Sequence, residues 1–345
     1  MFSYWFMYAI PSLAAITAKQ RRKQALFPFL VVGTCFALFI GLRFRVGGDW
    51  NNYFSRFKLI GRQSLADVLT SSDPGYGLLN WLMYRWQWDI YGVNMVCGII
   101  FLVGLIVCCR QQTRPWLGFA VAFPYLVVVM ALGYTRQGLA LGLFFLAVAS
   151  MERGHFKRYI LFIALASLFH KTALVMVTLG IFLHYKNWKL RALAVLIAGY
   201  VLWDLLLAEG QADLWKNYVE AQMVSQGARV RVAMNLVPGV LLLCFHKRWK
   251  ELYPNYRFWM VLAVGAVIST ILVSFSSTAI DRMALYLTPL QVVVFARLPT
   301  LLRQQLSPNV LTVGIILGYA LVLFVWLNYA IHARYWLPYQ NWLFL

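Results

Sequence analysis

Residues 25–54, ALFPFLVVGTCFALFIGLRFRVGGDWNNYF, decide how this chain is read. The first part, 25–42, carries no charge and is long enough to cross a bilayer as a helix. Directly after it come two arginines, two glycines, an aspartate, a tryptophan and a tyrosine, all within Gly41 to Phe54 at the membrane boundary. Arg43 and Arg45 are suited to clamp an anion, Gly47 and Gly48 let the backbone turn close to a ligand, and Asp49 adds a fixed carboxylate. The same residues would also suit a plain anchoring loop, with Arg and Trp at headgroup level.

The rest of the chain extends the first half of that pattern. Of 345 residues, 62% are apolar and 12% charged, which excludes an ordinary soluble domain and points to a polytopic membrane protein. A net charge of +20 would suggest nucleic acid in a soluble protein. Here the basic residues stand in short runs between apolar segments, as topology signals do, so nucleic acid is not an expected partner. Cys35, Cys97, Cys108, Cys109 and Cys244 lie in or at the ends of apolar segments and form neither a disulfide framework nor a metal spacing. The opening MFSYWFMYAI has no basic lead and no small-residue cleavage site, and reads as a retained span. No Walker loop, HExxH, GxSxG elbow or DxD motif occurs. ATP use and metallopeptidase chemistry are therefore not expected, and no cofactor or metal is implied.

The expected fold class is all-α, a polytopic integral membrane protein with about ten full transmembrane helices. They are assigned at 2–18, 25–42, 91–109, 115–133, 136–151, 191–208, 232–245, 256–276, 280–296 and 309–329. Two further apolar stretches read differently: 74–88 as an interfacial helix at the outer leaflet, and 159–185 as a broken or re-entrant hairpin turning near His170. With the N-terminus outside, Lys19–Lys23, Arg110/Arg114, Arg153–Arg158, Lys186–Arg191, Lys247–Arg257 and Arg297/Arg303 all face inward. This places 18 basic and 2 acidic residues inside against 13 basic and 9 acidic outside. In the rival topology, with 74–88 crossing and 159–185 one long helix, five of those inner basic residues move outside. No internal repeat or linker divides the chain, so residues 1–345 are expected to form a single transmembrane domain with outer loops at about 43–90 and 209–231.

Ionisable groups inside or beside spans point to function. In SSDPGYGLLNWL, Asp73 precedes a Pro-Gly turn into a helix on which Tyr76 and Asn80 share a face. An interfacial amphipathic helix explains this stretch equally well. In GYTRQGLALG, Arg136 and Gln137 open a span where helix amides already favour an anion. His170 and Lys171 interrupt an apolar run and argue for a polar cavity. Asp281 and Arg282 open a later span, as a substrate contact, a mutual pair or a cap. Arg229 and Arg231 end the second outer loop, and His332, Arg334, Tyr335, Trp336 and Tyr339 gather outside near the end of the chain. There, aromatics with polar edges suit sugar faces or an interfacial belt.

In this order the motifs resemble one family. Arg43-Phe-Arg45-Val-Gly-Gly-Asp49-Trp-Asn-Asn-Tyr53, Asp73-Pro-Gly-Tyr-Gly-Leu-Leu-Asn80, Thr135-Arg136-Gln137-Gly-Leu-Ala, Ala166-Ser-Leu-Phe-His170-Lys-Thr-Ala-Leu, Asp281-Arg282 and Trp336-Leu-Pro-Tyr339 are similar to motifs of the EpsG-like members of the Wzy-type polysaccharide polymerases. These extend exopolysaccharide, O-antigen or capsule chains at the bacterial inner membrane. One departure is that the family usually carries Glu before the Pro of the second motif, where this chain has Asp73.

The resemblance implies a glycosyltransferase that moves a glycan from one undecaprenyl-diphosphate carrier onto the terminal sugar of another lipid-linked repeat unit, at the periplasmic face. Its expected partners are that lipid-linked oligosaccharide, membrane lipid, and other polysaccharide-assembly proteins such as a flippase or chain-length regulator. In this reading Arg43, Arg45 and Arg136 stabilise the leaving diphosphate. Asp49 or His170 takes the proton of the acceptor hydroxyl, with Asp281 as a further catalytic candidate. Tyr53, Asp73, Tyr76, Gln137, Lys171, Arg282 and Trp336 join the arginines as substrate-binding candidates. The alternatives are a flippase for the same lipid-linked sugars, or another lipid-dependent glycosyltransferase or ligase.

Overall fold

The computed structural model describes residues 1–18, 25–207, 227–275 and 277–344. The basic run Lys19–Lys23 and most of the outer loop expected at 209–231 lie outside the described residues.

Among these residues every extended element is helical, as the apolar blocks predict. In chain order they are α1 (Phe2–Thr17), α2 (Leu26–Gly41), α3 (Trp50–Gly61), α4 (Leu65–Leu69), α5 (Pro74–Arg85), α6 (Asp89–Cys109) and α7 (Pro115–Ala122), which continues as a π-helix over Phe123–Ala131. Then come α8 (Thr135–Glu152), α9 (Phe156–Ser167), α10 (Val175–His184), α11 (Trp188–Leu207), α12 (Ala228–Cys244), α13 (His246–Leu252), α14 (Tyr256–Leu272), α15 (Ser277–Ala284), α16 (Pro289–Leu301) and α17 (Pro308–Tyr329).

The chain is a membrane protein, but the count of about ten full crossings exceeds what helix length alone supports. Asp89–Cys109, Ile280–Leu301 and Pro308–Tyr329 are each long and apolar enough to span, and α12 with α13, bent by 78°, makes a fourth if taken as one. Several other expected spans are shorter apolar helices, among them α2, Pro115–Ala131 and α14. A 16-residue helix such as α1 or α2 rises about 24 Å, less than the ~30 Å hydrocarbon core.

The two exceptional stretches are a broken helix and a short one. Between Ser167 and Val175 the helix stops: α9 ends, residues 168–170 leave helical geometry, and a single 3₁₀ turn at Lys171–Leu174 leads into α10. The stretch read as 74–88 is a 12-residue helix, α5, too short to cross.

Two compact units divide the chain: Met1–Leu146 with Leu168–His170 and Phe295–Leu345, and Ala147–Ser167 with Lys171–Val294. In the first, close helix crossings rest on small residues. A Cβ on Gly104 of α6 would lie 1.9 Å from the Gly142 carbonyl oxygen of α8, so only glycine lets these backbones meet. Phe36 of α2 packs edge-on against Phe119 and Phe123, and Phe29 stacks on Trp116 at 3.9 Å. In the second unit α12 packs on α14, and the Trp259 indole donates to Glu152 Oε1 at 2.7 Å.

Candidate functional site

The loop between α2 and α3 is held from below and behind. Arg43 is 1% exposed, and its guanidinium donates to Ile40 O (2.9 Å), Val46 O (3.2 Å) and Thr135 Oγ1 (2.7 Å). It thus satisfies an orphan carbonyl at the end of α2 and ties the loop to the start of α8. Burial pulls this guanidinium down to about 10, so it stays charged at neutral pH. Arg45 is exposed, adopts φ +53°, and lies over the Phe44 ring. Gly47, at φ +109°, donates its N–H to Tyr335 O at 2.8 Å, and an added Cβ there would lie 3.0 Å from Leu132 O. Asp49 sits half-buried at the N-cap of α3, within 3.4 Å of the Asn52 amide.

The far end of the chain supports the same loop. Arg43 and Asn341 form a β-bridge, Phe44 N–H donates to Gln340 O, and Trp342 N–H donates to Leu42 O. Trp336 is buried and its indole donates to Val128 O at 2.7 Å, a carbonyl of the π-helical segment. The Tyr339 hydroxyl donates to Phe39 O at 2.8 Å.

Behind the loop lies an ion pair. Arg136, at the start of α8, hydrogen-bonds the carboxylate of Asp73, the residue that precedes the first turn of α5. The arginine side chain is 26% exposed and the aspartate 7%, so the pair sits at an edge reachable from one side. Gln137 beside it is half-buried. Gly75 N–H donates to Leu168 O at 2.9 Å, which seats the start of α5 on the break that precedes the buried His170.

Tyr53 and Tyr76 join these parts, with ring centroids 6.0 Å apart and both arginines, Arg43 and Arg136, near Tyr53. Burial pushes the Tyr53 phenol up to about 12 and that of Tyr76 well above its usual value. Both therefore remain neutral hydroxyl donors, not bases. Deeper in, Thr135 Oγ1 lies 3.4 Å from Asn94 Oδ1. Among the described residues, the buried Tyr76 Oη, Asn80 Oδ1, Asn94 Nδ2 and Arg136 Nε find no hydrogen-bond partner. This layer can bind and orient an anion or a hydroxyl-rich group at its edge.

The first unit therefore brings together Arg43, Asp49, Tyr53, Asp73, Tyr76 and Arg136, with Arg45, Gln137, His170 and Trp336 on the same scaffold. Lys171, Asp281 and Arg282 belong to the second unit. There Asp281 takes a two-pronged contact from Arg231, Nε to Oδ1 at 2.8 Å and Nη2 to Oδ2 at 2.6 Å, while Arg282 is exposed. Sequence reasoning gave Thr135 no role beyond its place in the motif before Arg136, and missed Asn94. A lone amide inside an apolar span was the signal that could have revealed Asn94.

A family model described as the EpsG family matches residues 26–341, nearly the whole chain. No curated protein and no solved structure matches it significantly.

Proposed function

This chain belongs to the EpsG family, and on that premise we propose that it is a Wzy-type polymerase. It joins glycans carried on undecaprenyl diphosphate at the periplasmic face of the bacterial inner membrane. The observation that carries the reading is the Asp73–Arg136 pair, partly exposed and sharing its tyrosine neighbours with the buried Arg43. A guanidinium already held in place, with its Nε unsatisfied, is preorganised for charge that develops on a leaving group.

In the proposed reaction the acceptor sugar hydroxyl gives its proton to Asp49, and its oxygen attacks the anomeric carbon of the donor glycan. The bond from that carbon to the carrier diphosphate breaks, and the diphosphate leaves with the electron pair. Arg136 and the exposed Arg45 meet the new charge. Arg43 acts from behind by fixing the loop, because its nitrogens already hold two carbonyls and Thr135. Tyr53 and Tyr76, held neutral, donate hydrogen bonds to phosphate or sugar oxygens. No nucleotide is needed, since the lipid diphosphate is itself the activated leaving group.

The test is polymer synthesis by full-length protein in lipid nanodiscs supplied with lipid-linked repeat units, comparing wild type with Asp49→Asn and His170→Gln. Wild type should give a ladder of products and Asp49→Asn only starting units. A wild-type protein that moves units across vesicle membranes without joining them would overturn the reading in favour of a transporter.

A further inference from the structure

One cavity lies outside the residues given a role so far. A cleft of about 470 Å³ opens between α3, α4 and α5, lined by Ser55, Arg56, Gln63 and Ser71 with Leu59, Ile60, Val68 and Gly77. We propose that it is a glycan-binding site for a sugar bearing a carboxylate, with Arg56 as the carboxylate contact. The proposal rests on the polymerase reading for the choice of a glycan, and on the cleft's own chemistry for the rest.

The lining sets the ligand class. Arg56 is half-buried and has no hydrogen-bond or ion-pair partner among the described residues. The carboxylates nearest in sequence are engaged elsewhere: Asp49 accepts from Asn52 Nδ2 at 3.4 Å, Asp67 accepts from Ser64 Oγ at 2.6 Å, and Asp73 pairs with Arg136. An uncompensated cation in a cleft attracts an anion, and a guanidinium matches a carboxylate in a planar two-pronged contact. Ser55, Gln63 and Ser71 add hydroxyl and amide groups that both donate and accept, as a polyol requires and a bare phosphate does not. Leu59, Ile60 and Val68 supply a short aliphatic wall for the C–H face of a sugar ring.

Size narrows it further. At about 470 Å³ the cleft falls within the size range of small-ligand sites, room for a short oligosaccharide. Its position fits a substrate subsite. Gly77 of the lining follows Tyr76 directly and donates its N–H to Asp73 O, so the cleft begins one helical turn from the ion pair. An added Cβ at Gly77 would lie 3.1 Å from Val68 Cγ1 and 3.2 Å from Ser71 Oγ, so glycine here keeps the cleft open.

The experiment uses full-length protein in neutral-lipid nanodiscs and saturation-transfer NMR, with a glucuronic-acid-containing tetrasaccharide and its carboxyl-reduced analogue as probes. Wild type should bind the acidic sugar at least about 10-fold more tightly than the reduced one. Arg56→Gln should weaken the acidic sugar by about 10- to 100-fold and abolish the preference. Ser55→Trp, at an exposed position that tolerates bulk, should block both probes. Equal affinity for the two sugars, an unchanged Arg56→Gln, or no binding by wild type would overturn the proposal. So would displacement of the sugar by phosphatidylglycerol added to the nanodisc, which would make the cleft a lipid-headgroup site. Because binding is read without turnover, a cleft that behaves as expected in a protein that forms no polymer would sink the polymerase reading alone.

Discussion

Arg136 and Asp73, 63 positions apart in sequence, meet in a hydrogen-bonded ion pair at the junction of α5 and α8. The pair keeps a cation at the edge of a buried polar layer without neutralising it outright, since the arginine keeps a quarter of its surface exposed. In the proposed reaction a bound diphosphate would compete for that guanidinium while Asp73 continues to orient it.

Arg136→Lys tests the geometry separately from the charge. A lysine keeps the cation but loses the planar fork, at a cost of about 1.5–3 kcal/mol in the transition state, or roughly 10- to 100-fold in rate. Polymer ladders measured at matched protein level should shorten sharply for both Arg136→Lys and Arg136→Ala. Normal ladders from the lysine variant alone would show that bulk charge suffices.

Arg43 and Arg45 should part company. Arg43→Met leaves Ile40 O and Val46 O without their donor and the Thr135 hydroxyl without its partner, and should lower the amount of folded protein recovered in detergent. Arg45→Ala removes an exposed side chain resting on Phe44, and should leave protein level unchanged while reducing polymer.

The two loop glycines should also differ. Gly47→Ala forces an alanine to φ +109° with its Cβ 3.0 Å from Leu132 O, whereas a Cβ at Gly48 would find its nearest atom, on Tyr335, at 3.7 Å. Thermal unfolding in detergent should show a loss of about 1–3 kcal/mol for Gly47→Ala and a much smaller change for Gly48→Ala.

Tyr53 makes an alkaline prediction. Its phenol is pushed up to about 12 in the folded protein, while an unfolded tyrosine ionises near 10. The folded state thus loses ground only as pH rises through that window, and Tyr53 makes no pH-dependent contribution at neutral pH. Tyr53→Phe should reduce the loss of stability between about pH 10 and about pH 12 without altering stability at pH 7. An identical alkaline profile in the variant would mean that the phenol is not held neutral.

Much of this was legible in the sequence because apolar blocks and their interruptions carry physical meaning one at a time. The halt in helix before His170 follows from placing His-Lys within an apolar run, and α5 follows from a Pro-Gly turn after Asp73. Arg43 and Arg45, two residues apart, read alike as clamps, yet one is buried among carbonyls and the other is exposed. Spacing along the chain reports that residues are near the site, but not which way a side chain turns once the backbone leaves the helix. The partners of Arg43 and Asp281, Thr135 and Arg231, are long-range and depend on packing, so no local pattern announced them. The expected count of crossings exceeds the helices long enough to span for a related reason: hydropathy sums over a segment, while 3₁₀ and π geometry or a bend divides it.

The support of the glycine loop also carries a clock. Tyr339 reaches the Phe39 carbonyl from 300 positions downstream, and the Gly47 N–H donates to Tyr335 O. A ribosome that has delivered α2, the ion pair and the break at His170 has therefore made a chain in which Arg43 already ties this loop to α8, while its C-terminal contacts are still missing. Those contacts form only after the residues around Tyr335–Trp342 emerge, so this part of the loop's support is the last to be completed.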